Sequence, residues 1–136
     1  MEAIRILIAD DANIIRHTLC KLLEREKGIE VVGEAATGLE AVDKAAELRP
    51  DVVLMDADMP DLDGIEATRR IRALGLPSKI IVLTVIGSRL FEALSAGASE
   101  YLFKDCTRAG LVAKIRQVAA EIRCTAARPD NAQSAQ

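Results

Sequence analysis

The chain has 136 residues and a formal net charge of −3, and half of its residues are apolar. This composition is typical of one globular domain with its own core. It offers neither the basic patch of a nucleic-acid-binding protein nor the run of about 20 apolar residues that spans a membrane.

Short β-branched segments alternate with amphipathic segments along the chain. The first strand is predicted at 4–10, and the helix after it at 13–26 carries apolar residues at helical spacing. The later strand and helix pairs are predicted at 30–35 and 38–48, 52–56 and 64–74, 79–84 and 88–96, and 101–103 and 107–123. Beyond Arg123 the sequence is polar and aperiodic. We therefore expect a domain at 1–123 and a flexible tail or interdomain linker at 124–136.

Five β-α units in strict alternation predict a parallel sheet that is covered by helices on both faces. The continuous apolar runs at 52–55 and 80–83 fit inner strands, which are buried on both sides. Right-handed crossovers leave few topologies, and the usual one at this size is a single flavodoxin-like, doubly wound α/β domain with strand order 2-1-3-4-5, which we expect here. Ligands of such sheets bind at the carboxyl edge, between strands 1 and 3.

Three aspartates stand at the ends of apolar strands. Asp10 and Asp11 follow the first strand, and Asp56 ends the third. If these strands are neighbours, the three carboxylates meet at one edge of the sheet. Such a cluster stays ionised only beside a cation, so the pattern predicts a divalent metal site.

The residue types at this edge also suit phosphoryl transfer. Mg²⁺ prefers oxygen ligands, and an aspartate can attack phosphorus to form an acyl phosphate. A cation and a hydroxyl are then needed to hold the phosphoryl oxygens. Thr84 ends the fourth strand and Lys104 follows the fifth, so both are predicted to lie at the same edge.

With these residues in place, the chain resembles the receiver domain of two-component response regulators (CheY-like) over about residues 3–122. The resemblance rests on the three aspartates, on Thr84 and Lys104, and on the pairs Met59-Pro60 and Asp63-Gly64 after the third strand. The segments 34–38 and 101–105 are similar to those of the NarL-type subgroup.

The resemblance implies a phosphoryl acceptor and a metal site. Asp56 would accept a phosphoryl group from the phosphohistidine of a sensor histidine kinase. Asp11, Asp56 and the backbone carbonyl of Asp58 would bind Mg²⁺, and Asp10 would act mostly through water.

It also implies a switch. Lys104 would pair with one phosphoryl oxygen, and Thr84 would hydrogen-bond another. Tyr101 matches the switch aromatic, whose rotamer reports the state of Thr84. The surface formed by the fourth helix, fifth strand and fifth helix would then control output or form a homodimer.

NarL-type regulators bind DNA through a separate output domain that follows a linker. The present sequence stops at the linker-like tail, so we expect a piece of a longer transcriptional regulator, with a stand-alone receiver as the alternative.

Two features depart from the family pattern: the spacing of Thr84 and Lys104, and Val85, which follows Thr84 where a small residue is more usual. Thr84 and Lys104 are 20 positions apart, which is about two fewer than usual, so the loop 85–88 is expected to be shortened. Its apolar Ile86 suggests that the phosphorylated form resists hydrolysis.

Near the acceptor, the side chains of Asp58, Asp61 and Asp63 are interpreted simply as polar groups of a loop.

Two other functions compete with this interpretation. Asp56-Ala57-Asp58 mimics the DxD motif of haloacid-dehalogenase-like phosphatases, although that motif belongs on the first strand of that fold. A receiver-like module that binds partners without phosphorylation is the other alternative. The first interpretation is a signalling domain and not an enzyme.

The three cysteines and the N-terminus bear on location. Cys20, Cys106 and Cys124 are odd in number and form no CxxC motif, which argues against a disulfide framework and a zinc site. The N-terminus leads directly into a strand and not into a signal peptide. We therefore expect reduced thiols and a cytoplasmic protein without membrane contact.

Overall fold

The computed structural model describes residues 3–59, 61–84, 89–104 and 106–126, the side chains of 123–126 excepted. Five strands and five helices alternate over these residues. In chain order they are β1 (Ile4–Ala9), α1 (Asn13–Glu24), β2 (Ile29–Ala35), α2 (Gly38–Leu48), β3 (Val52–Asp56), α3 (Gly64–Ala73), β4 (Lys79–Thr84), α4 (Leu90–Ser95), β5 (Glu100–Phe103) and α5 (Arg108–Ala126).

The strands form one parallel sheet in the order β2-β1-β3-β4-β5, which confirms the predicted fold. In the register of the sheet, Ala9 lies opposite Met55, and Thr84 lies opposite Phe103. The residues that follow these pairs therefore emerge at the same carboxyl edge. This register is what brings side chains from β1, β3, β4 and β5 to one site.

Two hydrophobic cores lie on opposite faces of the sheet, because successive strand residues point to opposite sides. One face packs against α2, α3 and α4 and includes Leu7, Val53 and Ile80. The other face packs against α1 and α5 and includes Ile8 and Leu54. The central strands are thus buried on both sides, as their continuous apolar sequences predict.

The end of β3 lies very close to the start of α3. Asp63 caps this helix by accepting a hydrogen bond from the amide of Glu66 at 2.9 Å. A Cβ atom on Gly64 would lie 1.8 Å from the carbonyl oxygen of Asp56. Only glycine fits at this close approach, which places the helix directly behind the end of β3.

Element boundaries differ from the predictions mainly at helix ends. The first helix ends at Glu24 and not at residue 26, before a turn in which Gly28 has φ +84°. The last helix continues to Ala126 and not only to residue 123, since no helix breaker occurs before Pro129. The division into domain and tail stays a prediction, because residues 127–136 lie outside the described part.

No helix in the described part of the chain has both the length and the apolar character that crossing a membrane requires.

Candidate functional site

The three strand-end aspartates come together at the carboxyl edge of the sheet. Carboxylate oxygens of Asp10, Asp11 and Asp56 lie within 4.8 Å of one another. Asp10 and Asp56 are buried, whereas Asp11 is exposed. The site therefore has a buried floor of two carboxylates with a third at its entrance.

Lys104 provides the positive charge of this cluster. Its Nζ lies 3.0 Å from Oδ1 of Asp56 and 3.4 Å from Oδ2 of Asp10. Burial lowers the pKa of Lys104, but the two carboxylates outweigh that effect and the pKa is raised overall. The ammonium thus stays charged beside the aspartates.

The carboxylate of Asp56 is buried beside Lys104, and burial has the larger effect on its pKa. Burial raises its pKa to about 6, although Lys104 and the amide of Asp58 act in the opposite direction by hydrogen bonding. The amide of Asp58 donates to Oδ1 of Asp56 at 3.1 Å. The buried carboxylate is consequently held in a fixed orientation.

One oxygen of Asp10 indicates that the cluster suits a cation. Oδ1 accepts a hydrogen bond from the amide of Ala12 at 2.9 Å. The buried Oδ2 accepts no close hydrogen bond from the described residues, and the ammonium of Lys104 lies 3.4 Å from it. A buried carboxylate oxygen without a donor is costly, and a hard cation such as Mg²⁺ would satisfy it.

Asp58 does not contribute its carboxylate to the cluster. Its side chain, 62% exposed, pairs instead with Arg89 at 3.0 Å. Asp63 accepts hydrogen bonds from Glu66 and from Arg89. The view of these side chains as mere loop polar groups was therefore wrong for Asp58 and Asp63.

Thr84 and Tyr101 lie near the site on adjacent strands. Thr84 is buried at the end of β4, and its carbonyl accepts a hydrogen bond from the amide of Lys104 at 2.9 Å. Tyr101 is partly buried against the core that faces α4, and its ring stands edge-on to that of Phe103 at 5.9 Å. The shortened loop 85–88, with Ile86, lies outside the described residues, so that expectation stays a prediction. Pro60 of the family motif lies outside them as well.

Arg16 supports the site and was missed in the sequence. This buried side chain donates to the carbonyl of Asp10 at 2.6 Å, to Oε1 of Glu34 at 2.9 Å and to Oδ1 of Asn13 at 2.6 Å. The available signal was its place on the buried stripe of α1, four residues before Cys20 and seven before Leu23.

We expect Arg16→Met to lower the free energy of unfolding by about 1 to 2 kcal/mol. The methionine retains the apolar bulk but leaves the carbonyl of Asp10 without its donor. Urea unfolding measures the change, with Arg70→Met on the exposed surface of α3 as the matched control. Equal stability of the two variants would contradict a supporting role for Arg16.

The sequence matches a known family over most of its length. The family model for the response regulator receiver domain covers residues 6–116. The chain belongs to this family. It is a receiver domain of two-component response regulators, as the sequence analysis predicts.

Curated relatives of this receiver domain have different outputs. A protein-glutamate methylesterase/protein-glutamine glutaminase of Nocardioides sp. is 42% identical over 122 residues, covering 87% of this chain and 33% of the relative. The transcriptional regulatory protein LiaR of Bacillus subtilis is 46% identical over 116 residues, covering 83% of this chain and 54% of LiaR. The chain thus spans about a third to a half of these relatives, and the methylesterase kinship was not anticipated.

Solved receiver structures have the same fold. The receiver domain of NarL from Mycobacterium tuberculosis is 30% identical with a TM-score of 0.84, covering 88% of this chain and 98% of that one. The receiver domain of a sensor histidine kinase from Pseudomonas aeruginosa is 32% identical with a TM-score of 0.79, covering 87% of this chain and 98% of that one, and it holds a magnesium ion in its active-site cleft.

Proposed function

We propose that Asp56 accepts a phosphoryl group from the phosphohistidine of a sensor histidine kinase. One observation carries this proposal: a buried carboxylate lies 3.0 Å from a lysine ammonium within a cluster of three aspartates. An oxygen of Asp56 forms the new bond to phosphorus as the phosphorus–nitrogen bond breaks, and the imidazole keeps the bonding electron pair. Lys104 is placed to neutralise charge that develops on the phosphoryl oxygens.

We propose that Mg²⁺ is the cofactor of this site. Asp11, Asp56 and the carbonyl of Asp58 would hold it, and Oδ2 of Asp10, whose charge Lys104 only partly meets at 3.4 Å, would reach it through water. When bound, Mg²⁺ draws negative charge from the phosphoryl oxygens and so favours attack by a carboxylate. The pairing of the Asp58 side chain with Arg89 fits a role for its carbonyl alone.

The switch in this proposal runs from Thr84 and Tyr101 to the surface formed by α4, β5 and α5. Thr84 would hydrogen-bond the phosphoryl group, and Tyr101 would respond. Large apolar side chains are exposed on this surface, including Phe91 at 81%, Leu94 at 45% and Phe103 at 43%. Their exposure favours contact with a partner or with a second copy of the domain.

The proposal extends to the whole protein. Residues 1–123 would form the receiver, and 124–136 would lead to an output domain in a longer cytoplasmic regulator. A DNA-binding output, reached only through that second domain, is favoured by the LiaR likeness, and the methylesterase likeness makes an enzyme output the second candidate. The receiver part itself would serve as a regulatory module and not as an enzyme.

Phosphorylation by acetyl phosphate tests the central step. With Mg²⁺ present, intact-mass spectrometry is expected to show a gain of one phosphate by the wild type and none by Asp56→Ala. Chelation of the metal is expected to suppress the gain. If the wild type gains no phosphate, the phosphorylation-independent module becomes the better interpretation. A gain by Asp56→Ala would place the acceptor elsewhere.

A further inference from the structure

Arg89 joins three carboxylates at the mouth of the phosphorylation site. It stands immediately before α4, and its guanidinium contacts Asp58 at 3.0 Å, Asp63 at 3.2 Å and Glu92 at 2.9 Å. Its side chain is only 26% exposed. One cation therefore links the β3–α3 loop, the cap of α3 and the first turn of α4.

This cluster is connected to the acceptor through the backbone. The amide of Asp58 donates to Asp56, and Nη1 of Arg89 lies 3.5 Å from the carbonyl oxygen of Ala57. Two of the residues that Arg89 contacts, Ala57 and Asp58, thus follow the acceptor directly in sequence. A change in the position of Asp58 would be felt at Asp56.

The exposed carboxylates around the site oppose the approach of an anionic phosphodonor. Asp11 and Asp58 are exposed there, and Asp63 is partly exposed. A phosphodonor carries negative charge and has to approach past these carboxylates, which repel it. Arg89 is the cation that contacts Asp58 and Asp63 among the described residues.

We propose that Arg89 is a positioning residue for phosphoryl transfer to Asp56, because it neutralises Asp58 and holds that carboxylate away from the path of the donor. This inference rests on the proposed function of Asp56. With acetyl phosphate, an oxygen of Asp56 bonds to phosphorus while the bond between phosphorus and the acetyl oxygen breaks. Acetate leaves with the electron pair. The donor, the leaving group and the acceptor are all anionic. Neutralisation of the Asp58 carboxylate by Arg89 therefore reduces charge repulsion throughout the step.

The rate of phosphorylation by acetyl phosphate with Mg²⁺ tests the inference. Arg89→Gln is expected to lower the second-order rate constant about tenfold, through a higher apparent KM, as expected for one uncompensated charge at a cleft. Arg89→Lys is expected to retain most of the rate. The matched control is Arg69→Gln, which removes the same charge from an arginine that pairs with Glu66 on the exposed side of α3 and is expected to leave the rate unchanged.

Two further measurements separate charge compensation from simple support of α4. In Asp58→Asn/Arg89→Gln, the rate is expected to return to within about threefold of Asp58→Asn alone, because the uncompensated charge is gone. The deficit of Arg89→Gln is also expected to shrink at about 0.5 M salt, where charge repulsion is screened. A double variant as slow as Arg89→Gln would overturn the inference.

The failure of this inference is distinguishable from failure of the proposed function. If the wild type takes up no phosphate, both fall. If it does and Arg89→Gln reacts as fast as Arg69→Gln, the role of Arg89 alone is refuted. Urea unfolding of each variant verifies that the compared proteins are folded.

Discussion

Gly64→Ala is expected to lower the free energy of unfolding by about 3 kcal/mol or more. The added Cβ would lie 1.8 Å from the carbonyl oxygen of Asp56 and 2.7 Å from its carbonyl carbon. Both neighbours are backbone atoms, so no flexible side chain can yield. Relief requires movement of the end of β3 or of the start of α3, and the amide of Gly64 is tied to the carbonyl of Ala57 at 2.8 Å.

Urea unfolding measures this effect, with Gly110→Ala in α5 as the control. A Cβ on Gly110 meets only the hydroxyl of Thr107, at 3.2 Å. The higher helix propensity of alanine, about 1 kcal/mol, opposes this close contact with the hydroxyl that accepts from the amide of Gly110, so the control is expected to change stability by less than about 1 kcal/mol. Since the movement forced at position 64 displaces Asp56, phosphate uptake by Gly64→Ala should fall as well. A Gly64→Ala variant as stable as the control would show that the β3–α3 connection yields easily.

Asp56→Asn is expected to raise the free energy of unfolding of the metal-free protein at pH 7 by about 2 to 3 kcal/mol. Burial raises the pKa of Asp56 from 3.8 to about 6, so the folded protein binds this proton more tightly than the unfolded chain does. The stability that this proton provides is present below pH 3.8 and is lost as the pH rises through about 6. Each tenfold difference in proton affinity corresponds to about 1.4 kcal/mol.

The measurement is urea unfolding between pH 4 and 8 in the presence of a chelator. The difference between Asp56→Asn and the wild type is expected to grow with pH and to level off above about pH 7. Asp43→Asn, on the exposed side of α2, is the control and is expected to change stability by less than about 0.5 kcal/mol. Mg²⁺ should stabilise the wild type more than Asp56→Asn, because a ligand of the native state adds to its stability. A less stable Asp56→Asn variant at pH 7 would contradict this account of burial.

The sequence predicted the central strands well because abrupt changes in residue type bound their apolar runs. The run at 52–56 ends in a charged residue, and both of its bounds agree with the structure. The sheet order was then predicted as the usual one among the few that right-handed crossovers allow, and with it the meeting of Asp10 and Asp56. Helix ends were less well predicted, since backbone hydrogen bonding in the last helix continues beyond its apolar repeat.

The arginines around the site could not be predicted in the same way. Arg16 reaches a carboxylate 18 positions away, and Arg89 reaches Asp58 across 31 positions. Local pattern does not specify such partners, because a long flexible side chain can reach any acid that the tertiary fold brings near. Asp58 and Asp63 were undervalued for the same reason. Their contacts with Arg89 depend on where α4 begins, and no periodicity in the sequence fixes that point, whereas the cap that Asp63 forms on α3 is local.

Lys104 is already engaged through both its backbone and its side chain. Its amide bonds the end of β4, and its ammonium lies between the carboxylates of β1 and β3. A phosphoryl group that engages this ammonium therefore replaces an existing partner and does not simply add a new one. In the proposed function, activation would then be an exchange of anions around one cation. Such an exchange suits a reversible modification, because Asp10 and Asp56 would remain close enough to pair with Lys104 again once the phosphoryl group leaves.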